Sequence, residues 1–216
     1  MSVTETVKRF VVMLIGIIIS ALGLAFFVHV DLGVAPLSTL PYALSLAFPA
    51  LSLGTYSFLQ HLVFFTLTVL LLRRDFKPFQ LLILPCSLVF GYFVDFWNLF
   101  LDWLTPESYF VRILLLLIGC VIVAASFSML YLSQVALEAN TAMLNALVLR
   151  TKKPYGTLKT ICDITIILLA TAVSLIFLHK IVGIQVGTII AALVIGPVAG
   201  VFTKHMAKLE RFFTSK

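Results

Sequence analysis

The side chains able to do chemistry in this chain are few, and three of them sit where charge is costly. His61, Asp95 and Asp163 each fall inside a long apolar run. A charge at the centre of a bilayer costs roughly 2.5–3.5 kcal/mol on insertion scales, so such a residue needs a partner or a water-filled space. A shift of 102 positions lays His61 on Asp163, each about two turns into its run. Imidazole titrates near neutral pH and a carboxyl group exchanges protons or cations, so the pair suits ion coupling. An interhelical hydrogen bond that only holds helices together accounts for the pair equally well. Asp95, beside Trp97 and Asn98, is a third ion-coupling candidate, or a residue that lines a vestibule or merely reaches the interface.

Two polar clusters interrupt the apolar pattern. The first is Asp31-Leu32-Gly33-Val34-Ala35-Pro36-Leu37-Ser38-Thr39. Gly33 and Pro36 break the preceding helix, Pro36 suits the first position of a new one, and Ser38 and Thr39 place hydroxyls in its first turn. A helix start within a membrane offers unpaired N–H groups and the positive end of the dipole, a setting for carboxylate or phosphate. A solvated turn carrying Asp31 is the competing interpretation. The second cluster runs from Ser133 and Gln134 to Glu138, Asn140, Thr141 and Asn145. On a helix Glu138, Thr141 and Asn145 share a face, and such a stripe turns toward a cavity or another helix rather than lipid. An interfacial loop is the alternative. Together Asp31, Gly33, Pro36, Ser38, Thr39, Gln134, Glu138, Asn140, Thr141 and Asn145 form the candidate binding set.

The elements that must position these residues follow from composition. Of 216 residues 62% are hydrophobic and 11% charged, with a mean hydropathy of +1.15. Soluble domains carry about 25% charged residues, so a water-soluble monomer is excluded. The expected fold class is an all-α polytopic membrane protein. Six segments are long enough to span about 30 Å of hydrocarbon: residues 10–30, 54–72, 79–101, 109–132, 157–178 and 183–203. Residues 36–48 and 136–149 are shorter, and are either short full spans or re-entrant half-helices. Basic residues favour the second choice, because six spans place Arg73, Arg74, Lys77, Arg150, Lys152 and Lys153 on the side of both termini, as positive-inside sorting requires. Only Arg112, His179 and Lys180 oppose it. The apolar run 10–30 exceeds a signal-peptide core and ends in no cleavage pattern, so it is expected to be retained.

The net charge of +6 gathers at the ends of apolar segments, which is a membrane pattern and not a nucleic-acid footprint. Cys86, Cys120 and Cys162 lie singly in apolar runs, so neither metal, cofactor nor disulfide is expected. The chain has no HExxH, no GxSxG and no Gly-x-Gly-Asp around its intramembrane aspartates, so no enzyme is expected.

A shift of 103 lays Ile15 on Ile118, Gly16 on Gly119 and Ala21 on Ala124, one of 102 lays Gly54-Thr55 on Gly156-Thr157, and one of 105 lays Gly91 on Gly196. This predicts two repeats, 1–104 and 105–203, followed by an amphipathic cytoplasmic tail, 204–216, on anionic lipid. Three spans per half is an odd number, so the repeats are inverted, the plan of many secondary transporters with a midplane site at broken helices. Gly196 and Gly200 have the spacing of a close helix-packing face.

Ala21-Leu22-Gly23, Asp31-Leu32-Gly33-Val34-Ala35-Pro36 and Gly54-Thr55 give the chain a resemblance to the YczE/YitT-like family of small bacterial integral membrane proteins. The family often has Gly before the proline and Trp-Asp after it, where this chain has Ala35 and Leu37-Ser38. The resemblance implies a bacterial cytoplasmic (inner) membrane protein and supplies no substrate. The expected function is a secondary transporter or permease for a small polar or anionic solute, supported by the bilayer and by a homodimer. The alternative is a membrane-embedded partner or regulatory subunit without transport activity.

Overall fold

The computed structural model describes residues 3–133 and 138–206. Regular structure among them is helical throughout: α1 (Val3–Val30), α2 (Thr39–Ala47), α3 (Leu53–Leu72), α4 (Ile83–Phe100), α5 (Tyr109–Ser133), α6 (Ala139–Thr151), α7 (Tyr155–Val173) and α8 (Val186–Met206). Short 3-10 turns precede α2 and α4, and a five-residue π turn, Ser174–Leu178, prolongs α7. All but α2 and α6 are long and apolar enough to cross a membrane, as the six apolar runs predict. The molecule is a multi-pass membrane-type helical bundle.

Tertiary hydrogen bonds order the two ends of that bundle. Arg9 near the start of α1 donates to the Leu132 carbonyl at the end of α5 (3.4 Å), and Met13 meets Cys86 near the start of α4. Arg150 at the end of α6 donates to the Leu71 and Leu72 carbonyls at the end of α3 and pairs with Asp75. Ser128 of α5 donates to the Ala199 carbonyl near the end of α8. This end is the basic one, gathering Arg9, Arg73, Arg74, Arg150, Lys152, Lys153 and Lys204. At the opposite end Asp31 pairs with Arg112 (3.7 Å), the Val34 N–H donates to the Gly183 carbonyl and the Gly187 N–H to the Leu32 carbonyl.

The short helices turn back instead of crossing. Asp31 stands at the end opposite the basic one, yet Gln60, two turns into α3, donates from Nε2 to the Leu37 carbonyl (2.8 Å), so the chain has descended by Leu37. Gly33 makes that descent with φ +99° and packs so closely on Thr188 and Gln185 that a Cβ would collide with both. Pro36 then opens a 3-10 turn, and α2 climbs back to Phe48, which stacks edge-on against Phe177 of the π turn. From the basic end, α6 likewise starts inside the bundle at Ala139 and returns to Arg150.

The centre is an α1–α5 pair flanked by α4 on α1 and α8 on α5. Their closeness depends on glycine: at Gly23 a Cβ would strike Val123, and Gly16 faces Leu130 while Gly119 faces Phe27. Phe27, Leu116, Cys120 and Ala124 are fully buried there. Around this pair, α3 packs on α6 and α2 on α7. α3 also lies tightly against α4, whereas α7 and α8 have no comparable packing.

Candidate functional site

The missing packing between α7 and α8 leaves a cavity of about 610 Å³. Both half-helix starts face it, through Pro36, Leu37 and Ser38 on one side and Glu138, Asn140 and Thr141 on the other. Further polar lining comes from Ser20 of α1, from Ser57, Gln60 and His61 of α3 and from Tyr155, Lys159 and Asp163 of α7. Thr203 and Lys204 of α8 and Tyr131 of α5 carry it to the basic end. No residue of the loops 31–34, 48–52 or 179–185 lines it, so it stops short of the opposite end.

His61 and Asp163 line the same cavity but do not bond to each other. The His61 ring is buried and stacks on Phe90 with centroids 5.1 Å apart. It shares with Glu138 a second, smaller cavity of about 20 Å³ between α1 and α4. That volume holds about one water. Asp163 accepts from the Lys159 ammonium (2.5 Å) through Oδ2, one turn away on α7. Oppositely charged residues four apart on a helix face each other, so this pair needs no other element to form.

Several expected site residues stand elsewhere. Asp31 is two-thirds exposed in its pair with Arg112. Gly33 packs against the start of α8, and Thr39 is fully buried with its hydroxyl donating to the Pro36 carbonyl (2.7 Å). These two shape the turn that presents Pro36 and Ser38. Asn145 lies further along α6, toward the basic end, and does not line the cavity. Gln134 lies outside the described residues, as do residues 207–216 of the expected tail.

Asp95 also lies off the cavity, as a clamp. Its Oδ1 accepts from the Gly54 N–H (2.8 Å) and its Oδ2 from the Ser52 hydroxyl (2.5 Å), which ties the start of α3 to α4. Gly54 and Gly91 meet beneath this clamp, where a Cβ on either would run into the carbonyl oxygen of the other. Gly196 and Gly200 correct the expectation of a packing face. A Cβ on either meets nothing within 4 Å, and the same holds for Gly156. Both α8 glycines face the open cavity instead of a helix.

Gln60, Tyr155, Lys159, Thr203 and Lys204 escaped the reading of the sequence. Lys159 had a signal, the Lys-x-x-x-Asp spacing at the start of a span, which marks a paired intramembrane carboxylate. Gln60 had only its place beside His61.

No curated protein matches the chain, and no solved structure does. One family model matches residues 7–204, nearly the whole chain. It does not carry the YczE/YitT-like name, and its description supplies no activity. The matched residues take in both half-helices and nearly all of the six apolar helices, and the chain belongs to DUF6198, a family of unknown function.

Proposed function

We propose that this protein is a small secondary transporter or permease for a small polar or anionic solute, bound where the two half-helices begin. The observation that carries this reading is the shared cavity. Two helix starts face one space of about 610 Å³ within a membrane-type bundle, and that of α6 brings unpaired N–H groups and a positive dipole end. Volumes of roughly 300–1,000 Å³ are those of organic ligand sites, and broken helices at depth are the usual place for them in transporters.

The inverted-repeat reading draws support from contacts that map onto each other under the shift of 103. Gly16 on Leu130 becomes Gly119 on Phe27, within one α1–α5 interface. Arg9 reaching the end of α5 becomes Arg112 reaching Asp31 at the end of α1. The packing of α3 on α6 corresponds to that of α7 on α2, and α1 on α4 to α5 on α8. The one unmatched pair is α3 with α4, which is latched by Gly54, Gly91 and Asp95, against α7 with α8, which is apart. Alternating access calls for this asymmetry, because one gate is shut while its counterpart is open. With the basic end in the cytoplasm of a bacterial cell, both termini are cytoplasmic and the cavity faces inward.

The test is a thermal-shift screen of the detergent-purified chain against small metabolites, followed by uptake of each hit into proteoliposomes. A solute at a hundred times its dissociation constant stabilises the fold by about 2.7 kcal/mol. Asp163→Asn and Glu138→Gln are expected to remove that stabilisation and the uptake while eluting as the folded wild type does. Absence of any hit, together with stable co-purification of another membrane protein, would favour the partner-subunit reading instead.

A further inference from the structure

Three cavity-lining residues carry a buried oxygen without a hydrogen-bond partner among the described residues: Gln60 Oε1, Asn140 Oδ1 and Asp163 Oδ1. They come from α3, α6 and α7, and all three atoms are acceptors. The Gln60 amide is oriented by its Nε2 donating to the Leu37 carbonyl, which leaves Oε1 as the free atom. Asp163 gives Oδ2 to Lys159 and keeps Oδ1 free. Asn140 is only 6% exposed and stands in the first turn of α6. A buried polar atom without a partner is costly, and native structures hold few of them. Three around one cavity call for donors that the protein does not itself supply.

The same cavity has the opposite need a short distance away in the chain. The first N–H groups of α6 have no intrahelical acceptor, and its positive dipole end favours an anion. The carboxyl side chains of the lining, Glu138 and Asp163, equal its amino side chains, Lys159 and Lys204, in number. A ligand with no net charge but with both a donor-rich cationic group and an anionic group meets all three conditions. A bare cation meets the first alone, and it leaves most of a cavity of about 610 Å³ unfilled.

We propose that the cavity binds a small zwitterion, an amine-bearing carboxylic acid, with its ammonium on the oxygens of Gln60, Asn140 and Asp163 and its carboxylate at the start of α6. This rests on the transport-site reading above and narrows its substrate class. The amine is what selects the ligand: the acid without it leaves the three oxygens unpaired.

The deciding experiment measures binding by thermal shift on the full-length, detergent-purified chain. L-alanine, L-leucine and L-phenylalanine are each compared with the deaminated acid, the decarboxylated amine and sodium chloride. At least one amino acid is expected to raise the melting temperature, with its acid and its amine at least about tenfold weaker. Asn140→Leu and Gln60→Met are expected to abolish the difference between the amino acid and its acid, while Asn140→Asp, which keeps the acceptor, retains it. Equal shifts by the acid and the amino acid overturn the proposal, as does a shift by sodium chloride alone or by none of the amino acids. Should the Leu variant fail to fold, the comparison of ligands on the wild type still decides. Uptake separates this proposal from transport itself: a deaminated acid that binds and is carried sinks the zwitterion and leaves the transporter, whereas an amino acid that binds and is not carried does the reverse.

Discussion

Single residues differ sharply in what they tolerate, and glycine shows why. At Gly23 a Cβ would sit 2.4 Å from Cγ2 of Val123, so Gly23→Ala must shift the buried Val123 side chain or push α1 and α5 apart. Overpacking of this kind costs about 1–3 kcal/mol, and a fall in the melting temperature of the purified protein checks it. Gly156→Ala, in open space near the start of α7, is expected to leave the melting temperature unchanged or raised, because alanine is the better helix former by up to about 1 kcal/mol. The two glycines look alike in the sequence, and only their neighbours separate them. The same limit applies to the carboxylates. Asp95 and Asp163 are both intramembrane aspartates by sequence, yet one holds Ser52 and Gly54 and the other keeps an oxygen free beside the cavity. What distinguishes them is the partner brought by another helix.

At the scale of elements, apolar length and the breakers Gly33 and Pro36 were enough to locate all eight helices, with boundaries shifted by a few residues. Burial did not follow from apolarity. α1 and α5 form the centre while α7 is mostly exposed, although all three have hydropathy of 2.5 or more, because lipid and protein interiors are equally apolar surroundings. Small residues at the crossing, not hydrophobicity, decide which helices pack. The latch between α3 and α4 makes this testable. Asp95→Asn weakens the acceptor for the Gly54 N–H and the Ser52 hydroxyl, and hydrogen bonds to charged groups contribute about 1.5–3 kcal/mol each. The variant is expected to melt lower and to expose the start of α3 to faster amide hydrogen exchange, measured by mass spectrometry. An unchanged exchange rate at residues 53–57 would show that the helices stay together without the clamp.

The whole molecule has one basic end and one end with Asp31, Asp95, Asp102 and Glu107. In a background lacking Cys86, Cys120 and Cys162, an impermeant maleimide is expected to label Asp31→Cys in intact cells and Thr151→Cys only after permeabilisation. Both positions are exposed and lie at opposite ends, so reversed labelling would invert the orientation. The distribution of Lys and Arg made the basic end legible in the sequence, but the packing of α3 on α4 and the parting of α7 from α8 were not, since Gly54-Thr55 and Gly156-Thr157 are the same dipeptide. The latch also sets a population. Parting α3 from α4 forfeits two charge-assisted hydrogen bonds, together about 3–6 kcal/mol, so the parted form is present in roughly one molecule in 10² to 10⁴. Under the proposed transport function, a solute arriving from the Asp31 end would meet its binding-competent form at that frequency, and its apparent affinity would be weaker than its intrinsic affinity by the same factor. A solute arriving from the Lys204 end would meet no such factor, so the proposed transporter would load more readily from its basic side.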